Sequence, residues 1–175
     1  MARPKPDKQS LLAALAAHVL EHGLNTASLR PMAAAAGTSD RMLIYHFGSK
    51  DALIAELLEY LAAQMAAGLD AALPASPFVS EAELVGQVVA LMRSEPFRPY
   101  GRGWLDIISA SGQVQGSHLA AGCKIIEAYL DWLAARHPEG RARAPFLLTL
   151  IEGILVMDAV GQSAIADAAV ASLGE

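Results

Sequence analysis

The stretch that decides the fold runs from Gly37 to Lys50 and reads GTSDRMLIYHFGSK. Its first glycine permits the positive φ that turns a chain sharply between two helices. Behind this glycine, Thr38 or Ser39 is a suitable cap for a helix of about two turns, and the second glycine of the stretch can end that helix. We therefore predict one short helix within this stretch.

A helix is predicted on either side of the short one. Upstream, Ser28 is a suitable N-cap for a helix that continues to Gly37, and the alanines near its end allow close helix packing. Downstream, Ser49 begins a long helix from Lys50 to about Leu73, with apolar residues at helical spacing. Two short helices joined by a tight turn form a helix-turn-helix, whose second helix fits the major groove of DNA.

Helical signals continue through the rest of the chain. Asp7 or Ser10 can begin a first helix that Gly23 ends, and no stretch alternates apolar and polar residues with the period of a strand. Further helices are predicted near residues 80–93, 99–111, 117–137 and 142–165. We predict an all-α fold with an N-terminal three-helix helix-turn-helix domain, residues 1–49, followed by a helical domain, residues 50–175.

Composition excludes several classes of protein. Of the 175 residues 54% are hydrophobic, which is too apolar for a disordered chain, and the length is too short for a multi-domain enzyme. Apolar runs last about ten residues, whereas a membrane span needs roughly twenty. The first ten residues contain no apolar signal region, and the single cysteine, Cys123, cannot form an internal disulfide. We expect a soluble cytoplasmic protein with no membrane partner.

Charge is distributed unevenly along the chain. Residues 1–50 contain six basic residues and three acids, a formal charge of +3, and residues 51–175 contain seven basic residues and fifteen acids, a formal charge of −8. A small basic N-terminal segment followed by an acidic remainder is typical of a protein whose first module faces phosphates and whose second module has another function. An excess of three charges could also arise by chance.

The chain from Leu11 to Leu58 resembles the DNA-binding domain of the TetR (tetracycline-repressor-like) family. The family pattern is roughly a glycine, a hydroxyl residue and then Leu-x-Tyr-x-Phe-x-x-Lys. The matching residues here are Gly37, Ser39, Leu43, Tyr45, Phe47 and Lys50. The resemblance implies a non-enzymatic, ligand-responsive transcriptional regulator without a cofactor. The family's commoner mode is a repressor that binds a palindromic operator as a homodimer and is released by a small, largely apolar effector.

The resemblance also implies which residues contact DNA. They are Ser28, Thr38, Ser39, Arg41, Met42, Tyr45, His46 and Lys50. Ser39, Arg41, Met42 and Tyr45 would face the groove, Tyr45, His46 and Lys50 would contact the backbone, and Leu43 and Phe47 would be core. Asp40 stands where the family often has a basic residue, and Arg41 where it often has glycine. Arg41 is therefore a candidate to read guanine, although it could instead pair with Asp40 or a phosphate.

The second half of the chain would then bind the effector and dimerise. The family implies dimerisation through the last two long helices, near 117–137 and 142–165, whose apolar circumference fits burial on two sides. Burial of both sides within one chain is the alternative. The predicted ligand-contacting residues are Leu61, Met65, Met92, Phe97, Tyr100 and Trp104. An aromatic and methionine stripe of this kind can also be plain core. Arg98 and Arg102 could meet a ligand carboxylate at the rim.

Two other classes of function compete with a regulator. His18 and His22 stand four apart, a spacing that can hold a metal, but no third ligand adjoins them, and no phosphate-loop or G-x-S-x-G motif occurs. An all-α enzyme is therefore disfavoured, and we interpret Cys123 as a small packing residue. The other alternative is a non-DNA-binding interaction module that retained the fold.

Overall fold

The computed structural model describes residues 7–24, 28–75, 77–111 and 117–174. The described part is helical and contains no strand, which confirms the predicted all-α fold. The α-helices are α1 (Lys8–His22), α2 (Leu29–Ala35), α3 (Asp40–Phe47), α4 (Lys50–Ala72), α5 (Glu81–Arg93), α6 (Arg98–Ser111), α7 (Ser117–Ala134), α8 (Ala144–Ala159) and α9 (Ser163–Ala171). Short 3-10 turns lie at Gly140–Ala142 and Ser172–Gly174.

Local side-chain caps begin four of these helices. The side chains of Asp7, Ser39, Ser49 and Ser80 each accept a hydrogen bond from the backbone N–H three residues on. Such a bond satisfies one of the N–H groups that a helix start leaves unpaired. Ser28 differs, because it occupies the N-cap position of α2 in an extended conformation but makes no side-chain capping bond.

The predicted single helix over 142–165 is wrong. The chain forms two helices there, because Gly161 adopts a φ of 76° and ends α8. Its N–H bonds the Asp158 carbonyl and the Gln162 N–H bonds the Met157 carbonyl, the paired bonds of a Schellman cap. The helix predicted over 117–137 also ends early, at Ala134.

Two clusters of buried apolar side chains hold the helices together. The first joins α1, α2, α3 and the start of α4, and it includes the buried Leu43 and Phe47 of α3. The second joins the end of α4 with α5, α8 and α9. Leu53 and Leu57 belong to the first cluster and Leu69 to the second, so α4 runs through both. The division after residue 49 therefore stays a prediction.

Among the described residues, α4 is the one helix long and apolar enough to cross a membrane by length and composition. It packs against α1, α3 and α7, and its Leu53, Leu57 and Leu58 are almost fully buried in the first cluster. These contacts identify α4 as a core helix of the fold.

Candidate nucleic-acid interface and ligand cavity

Helix α3 has one buried face and one exposed face. Gly37, at a φ of 62°, lies in the turn between α2 and α3, and Ser39 caps the first turn of α3. Leu43 and Phe47 lie four apart and are buried at 0% and 5% exposure, so they anchor the helix to the core. The opposite face carries the exposed Arg41 and Tyr45.

The outer face of α3 carries polar side chains, Arg41 and Tyr45, that make no hydrogen bond or ion pair with a described residue. Tyr45 is 78% exposed, far above what packing would give a tyrosine. Arg41 makes no ion pair or hydrogen bond with any residue that the structure describes, so the alternative pairing with Asp40 does not occur. Met42 is half-buried, and the exposed Ser39 accepts the Met42 N–H in its cap.

The remaining predicted DNA contacts lie on α3 itself, in the turn before it, or at the starts of α2 and α4, which both pack against α3. Thr38 is half-buried in the turn, Ser28 is exposed at the start of α2, and Lys50 is exposed as the first residue of α4. His46 is half-buried and stands edge-on to Tyr45, with ring centroids 5.4 Å apart. Its Nε2 is buried without a hydrogen-bond partner in the described part of the chain.

Ion pairing neutralises Lys8 but leaves three basic side chains of the N-terminal helices unpaired among the described residues. Lys8 pairs with Glu56 at 2.7 Å and its ammonium lies 5.1 Å from the centre of the Phe47 ring. Within residues 28–50, Arg30, Arg41 and Lys50 are exposed and form no ion pair with a described residue. Arg30 was missed by the sequence analysis, although its place in the first turn of α2, beside the predicted Ser28, was a usable signal.

A narrow apolar cavity lies between α1, α4, α5, α6, α7 and α8. Its volume is about 50 Å³, whereas small-molecule sites usually measure roughly 300 to 1,000 Å³. Five of the six predicted ligand residues line it, namely Leu61, Met65, Met92, Tyr100 and Trp104. The sixth, Phe97, is not among the lining residues. Its ring packs against Gly68 of α4, with Cζ only 2.8 Å from where a Cβ would stand.

One carboxylate stands in this apolar wall. Glu152 of α8 is half-buried and accepts a hydrogen bond from the indole N–H of Trp104. Burial raises the pKa of the Glu152 carboxyl, and the indole bond only partly offsets this. Burial also raises the pKa of Tyr129, whose hydroxyl donates to the Met65 sulfur at 3.0 Å. Sequence analysis missed Glu152, although a single acid in the apolar run of residues 146–157 was a visible signal.

An open cleft of about 460 Å³ adjoins the cavity, and both Arg98 and Arg102 line it. The two spaces share three lining residues, namely Met92, Gly101 and Leu155. Arg98 pairs with Glu95 at 2.6 Å. Arg93, also in the cleft, is bound to carboxylates of α8 and α9. The arginines that the sequence analysis placed at the rim thus lie in the outer cleft and not in the apolar cavity.

An exposed stripe runs along α8. It consists of Phe146, Thr149, Gly153, Val156 and Val160, spaced alternately three and four apart. Phe146, Val156 and Val160 are 44%, 38% and 63% exposed, and no atom lies within 4 Å of a Cβ built on Gly153. The alternative in which one chain buries both sides of this helix is therefore not what the structure has.

Two smaller expectations about α1 and α7 can be compared with the structure. The rings of His18 and His22 stack with centroids 4.5 Å apart, and the described residues contain no group of three or more His, Cys, Asp or Glu side chains that could hold a metal. Cys123 is exposed on α7, so the interpretation of it as a packing residue is wrong.

Comparison with known proteins extends these observations. Residues 6–57 match the family model of bacterial regulatory proteins, tetR family. No curated protein matches the chain.

Solved structures share the fold over nearly the whole chain. A transcriptional regulator from Rhodococcus sp. Rha1 is 24% identical with a TM-score of 0.69, covering 94% of this chain and 90% of that one. The multidrug binding protein EbrR, complexed with proflavin, is 20% identical with a TM-score of 0.72, covering 95% and 96%. Salmonella enterica GusR is 19% identical with a TM-score of 0.66, covering 99% and 94%.

Proposed function

We propose that this chain acts in the cytoplasm as a ligand-responsive repressor of transcription. It belongs to the tetR family of bacterial regulatory proteins and is a DNA-binding transcriptional regulator. The observation that carries the proposal is the outer face of α3. Arg41 and the 78% exposed Tyr45 stand there on a helix whose other face is locked in the core. Large polar side chains held rigidly outward with no internal partner are what base and phosphate contacts require.

In this proposal α3 enters the major groove, with Ser39, Arg41, Met42 and Tyr45 toward the bases. Arg41 is suited to guanine, because a free guanidinium can donate two parallel hydrogen bonds to O6 and N7. The backbone contacts are Ser28, Thr38, Tyr45, His46 and Lys50. Lys50 adds its charge to the N-terminus of α4, where the helix dipole also attracts a phosphate.

The operator is bound by a homodimer that forms through α7 and α8. The exposed α8 stripe supports this, since its positions follow the alternating three and four spacing of a helix seam and Phe146, Val156 and Val160 among them are apolar. Gly153, open on its Cβ side, allows the partner backbone to come close. A two-fold dimer presents two copies of α3, which suit palindromic half-sites about 34 Å apart.

Ligand binding in the cavity is coupled to DNA binding through the elements that join the cavity to the helix-turn-helix. Helix α4 lines the cavity with Leu61 and Met65 and begins only three residues after α3 ends. The link after α1 is also tied to the ligand domain, because the Leu24 N–H donates to Asp106 of α6 at 2.9 Å. A ligand that presses on α4 or α6 from the cavity would alter the separation of the two α3 helices and lower operator affinity.

Neighbours of the same fold support a small-molecule effector. EbrR is complexed with proflavin, and a putative regulator from Saccharomonospora viridis, with a TM-score of 0.58, is in complex with choline. We infer from these that the fold can enclose small organic molecules.

Selection of bound sequences from a random DNA library tests the proposal. The purified full chain is expected to enrich a palindrome, with affinity that falls steeply between low and physiological salt. A Tyr45→Ala variant is the matched control, because this exposed side chain leaves the core intact, and it should enrich the palindrome poorly or not at all. If the wild-type chain enriches nothing above non-specific binding, the regulator proposal fails and the interaction-module alternative takes its place.

A further inference from the structure

The wall of the cavity contains an acid that its surroundings do not neutralise. Glu152 accepts one hydrogen bond, from the neutral indole of Trp104, and no basic residue is among the described residues that line the cavity. Taking a carboxylate out of water is costly unless a cation or several donors compensate it, and folding alone would favour a neutral residue here. An uncompensated charge in a cavity wall indicates a task in binding.

Aromatic rings surround the same space. Tyr100 and Tyr129 line the cavity with Trp104, on α6 and α7. The electron-rich faces of tyrosine and tryptophan attract organic cations, and the remaining wall is aliphatic. The combination of one carboxylate, three aromatic rings and apolar side chains is complementary to an apolar molecule with a single positive charge.

The cavity can be enlarged without breaking the core. Met92 stands between the cavity and the open cleft of about 460 Å³, and its terminal methyl lies near Gly101, with 3.7 Å to a Cβ built on that glycine. Methionine side chains change rotamer readily. Movement of Met92 would join the two spaces, and their combined volume then suits a small organic molecule.

We propose that the effector site of this protein binds a lipophilic organic monocation, with the Glu152 carboxylate as its counter-ion and Tyr100, Trp104 and Tyr129 against its apolar body. The inference rests on the proposed function only in treating this cavity as the effector site. A ligand carboxylate bound by the arginines of the cleft is the competing chemistry. It is disfavoured because Arg93 and Arg98 already pair with acids, so that Arg102 alone among the arginines of the cleft has no ion pair to a described residue.

A matched pair of probes tests the charge directly. Phenyltrimethylammonium and tert-butylbenzene have nearly the same shape and differ in one positive charge. Binding of each to the full-length protein is measured by thermal shift and titration calorimetry without DNA. We expect the cation to bind the wild-type protein at least about tenfold more tightly than the neutral probe, since the Glu152 carboxylate attracts the cation and not the neutral probe.

Glu152→Gln is the informative variant, because glutamine keeps an oxygen for the Trp104 indole while removing the charge. It should lose most of the preference for the cation and keep its affinity for tert-butylbenzene, which also shows that the cavity is intact. Glu83→Gln, at an exposed position on α5, is the control and should keep the preference.

The remaining outcomes overturn the inference. They are equal binding of the two probes to wild-type protein, a preference that survives Glu152→Gln, no binding of either probe, or tighter binding of the carboxylate 3-phenylpropionate. Operator binding is measured separately on the same preparations. A protein that binds DNA but not the cation refutes this inference alone, whereas one that binds the cation but no DNA refutes the regulator and leaves the cation site standing.

Discussion

Replacing Lys50 by alanine should weaken DNA binding without weakening the fold. Lys50 is exposed and is the first residue of α4, where the positive end of the helix dipole repels a cation. Removal of the ammonium is therefore expected to leave the free energy of unfolding unchanged or to raise it by about a few tenths of a kcal/mol. The presence of a lysine at a position that the helix dipole disfavours is explained if a phosphate binds there.

The size of the effect on DNA follows from counterion release. Each phosphate contact contributes about 0.9 to the slope of log affinity against log salt, and a dimer contains two copies of Lys50, so the slope should become shallower by about 1.8. Over a fourfold rise in salt, wild-type affinity should therefore fall about twelvefold more than that of the variant. Fluorescence anisotropy with the selected operator at several salt concentrations, beside thermal unfolding, measures both quantities.

Lys124→Ala is the matched control for this experiment. Lys124 is exposed on α7 and pairs with Glu59, so the variant removes the same charge from the acidic body, and its salt slope should equal that of wild-type protein. The reasoning is refuted if Lys50→Ala keeps the wild-type slope. It is also refuted if Lys124→Ala reduces the slope equally, because net charge and not a phosphate contact would then be responsible.

Three further predictions address base reading, assembly and the buried acid. Arg41→Ala should relax sequence preference at one position of each half-site at a cost of about 1–3 kcal/mol, measured by repeating the library selection; an unchanged motif would show that Arg41 reads no base. Val156→Glu should yield a folded monomer by sedimentation, with little operator affinity by anisotropy. Val79→Glu, at a 94% exposed apolar residue off the stripe, should remain dimeric. A dimeric Val156→Glu protein would exclude the α8 stripe as the dimer seam. Burial raises the pKa of Glu152 above its unfolded value, so ionisation of this carboxyl destabilises the fold as pH rises through the usual range of glutamate. Glu152→Gln should thus raise the Tm at neutral pH and lose this gain below about pH 4, where the wild-type carboxyl is protonated in both states, and a gain that does not change with pH would contradict the argument.

Local chemistry made much of the fold predictable from the sequence. Helix starts at Asp7, Ser39, Ser49 and Ser80 depend on a side chain and a backbone N–H three residues away, so the sequence contains the whole interaction. The same holds for the turn at Gly37, which needs only a residue tolerant of positive φ. Ser28 shows the limit, because a suitable cap residue does not oblige its side chain to make the bond.

Other residues admitted two interpretations that only tertiary contacts could separate. Gly161 lies inside the helix predicted over 142–165, but the hydrogen bonds around it show that it ends α8. Phe97 was consistent with the cavity or the core, and the missing side chain of Gly68 placed its ring against α4. Cys123 was interpreted as packing, but the face of α7 that carries it is exposed.

The sequence by itself determined the capped helix starts, the helix-turn-helix and the resemblance of residues 6–57 to the tetR family, because each depends on residues within one short stretch. The tertiary structure alone decided which side chains meet at the cavity. Its walls come from six helices spread between α1 and α8, so no local pattern brings Glu152 to Trp104, 48 positions away. Periodicity can show that a residue is buried, but the charge and shape of a cavity depend on which distant side chains meet there.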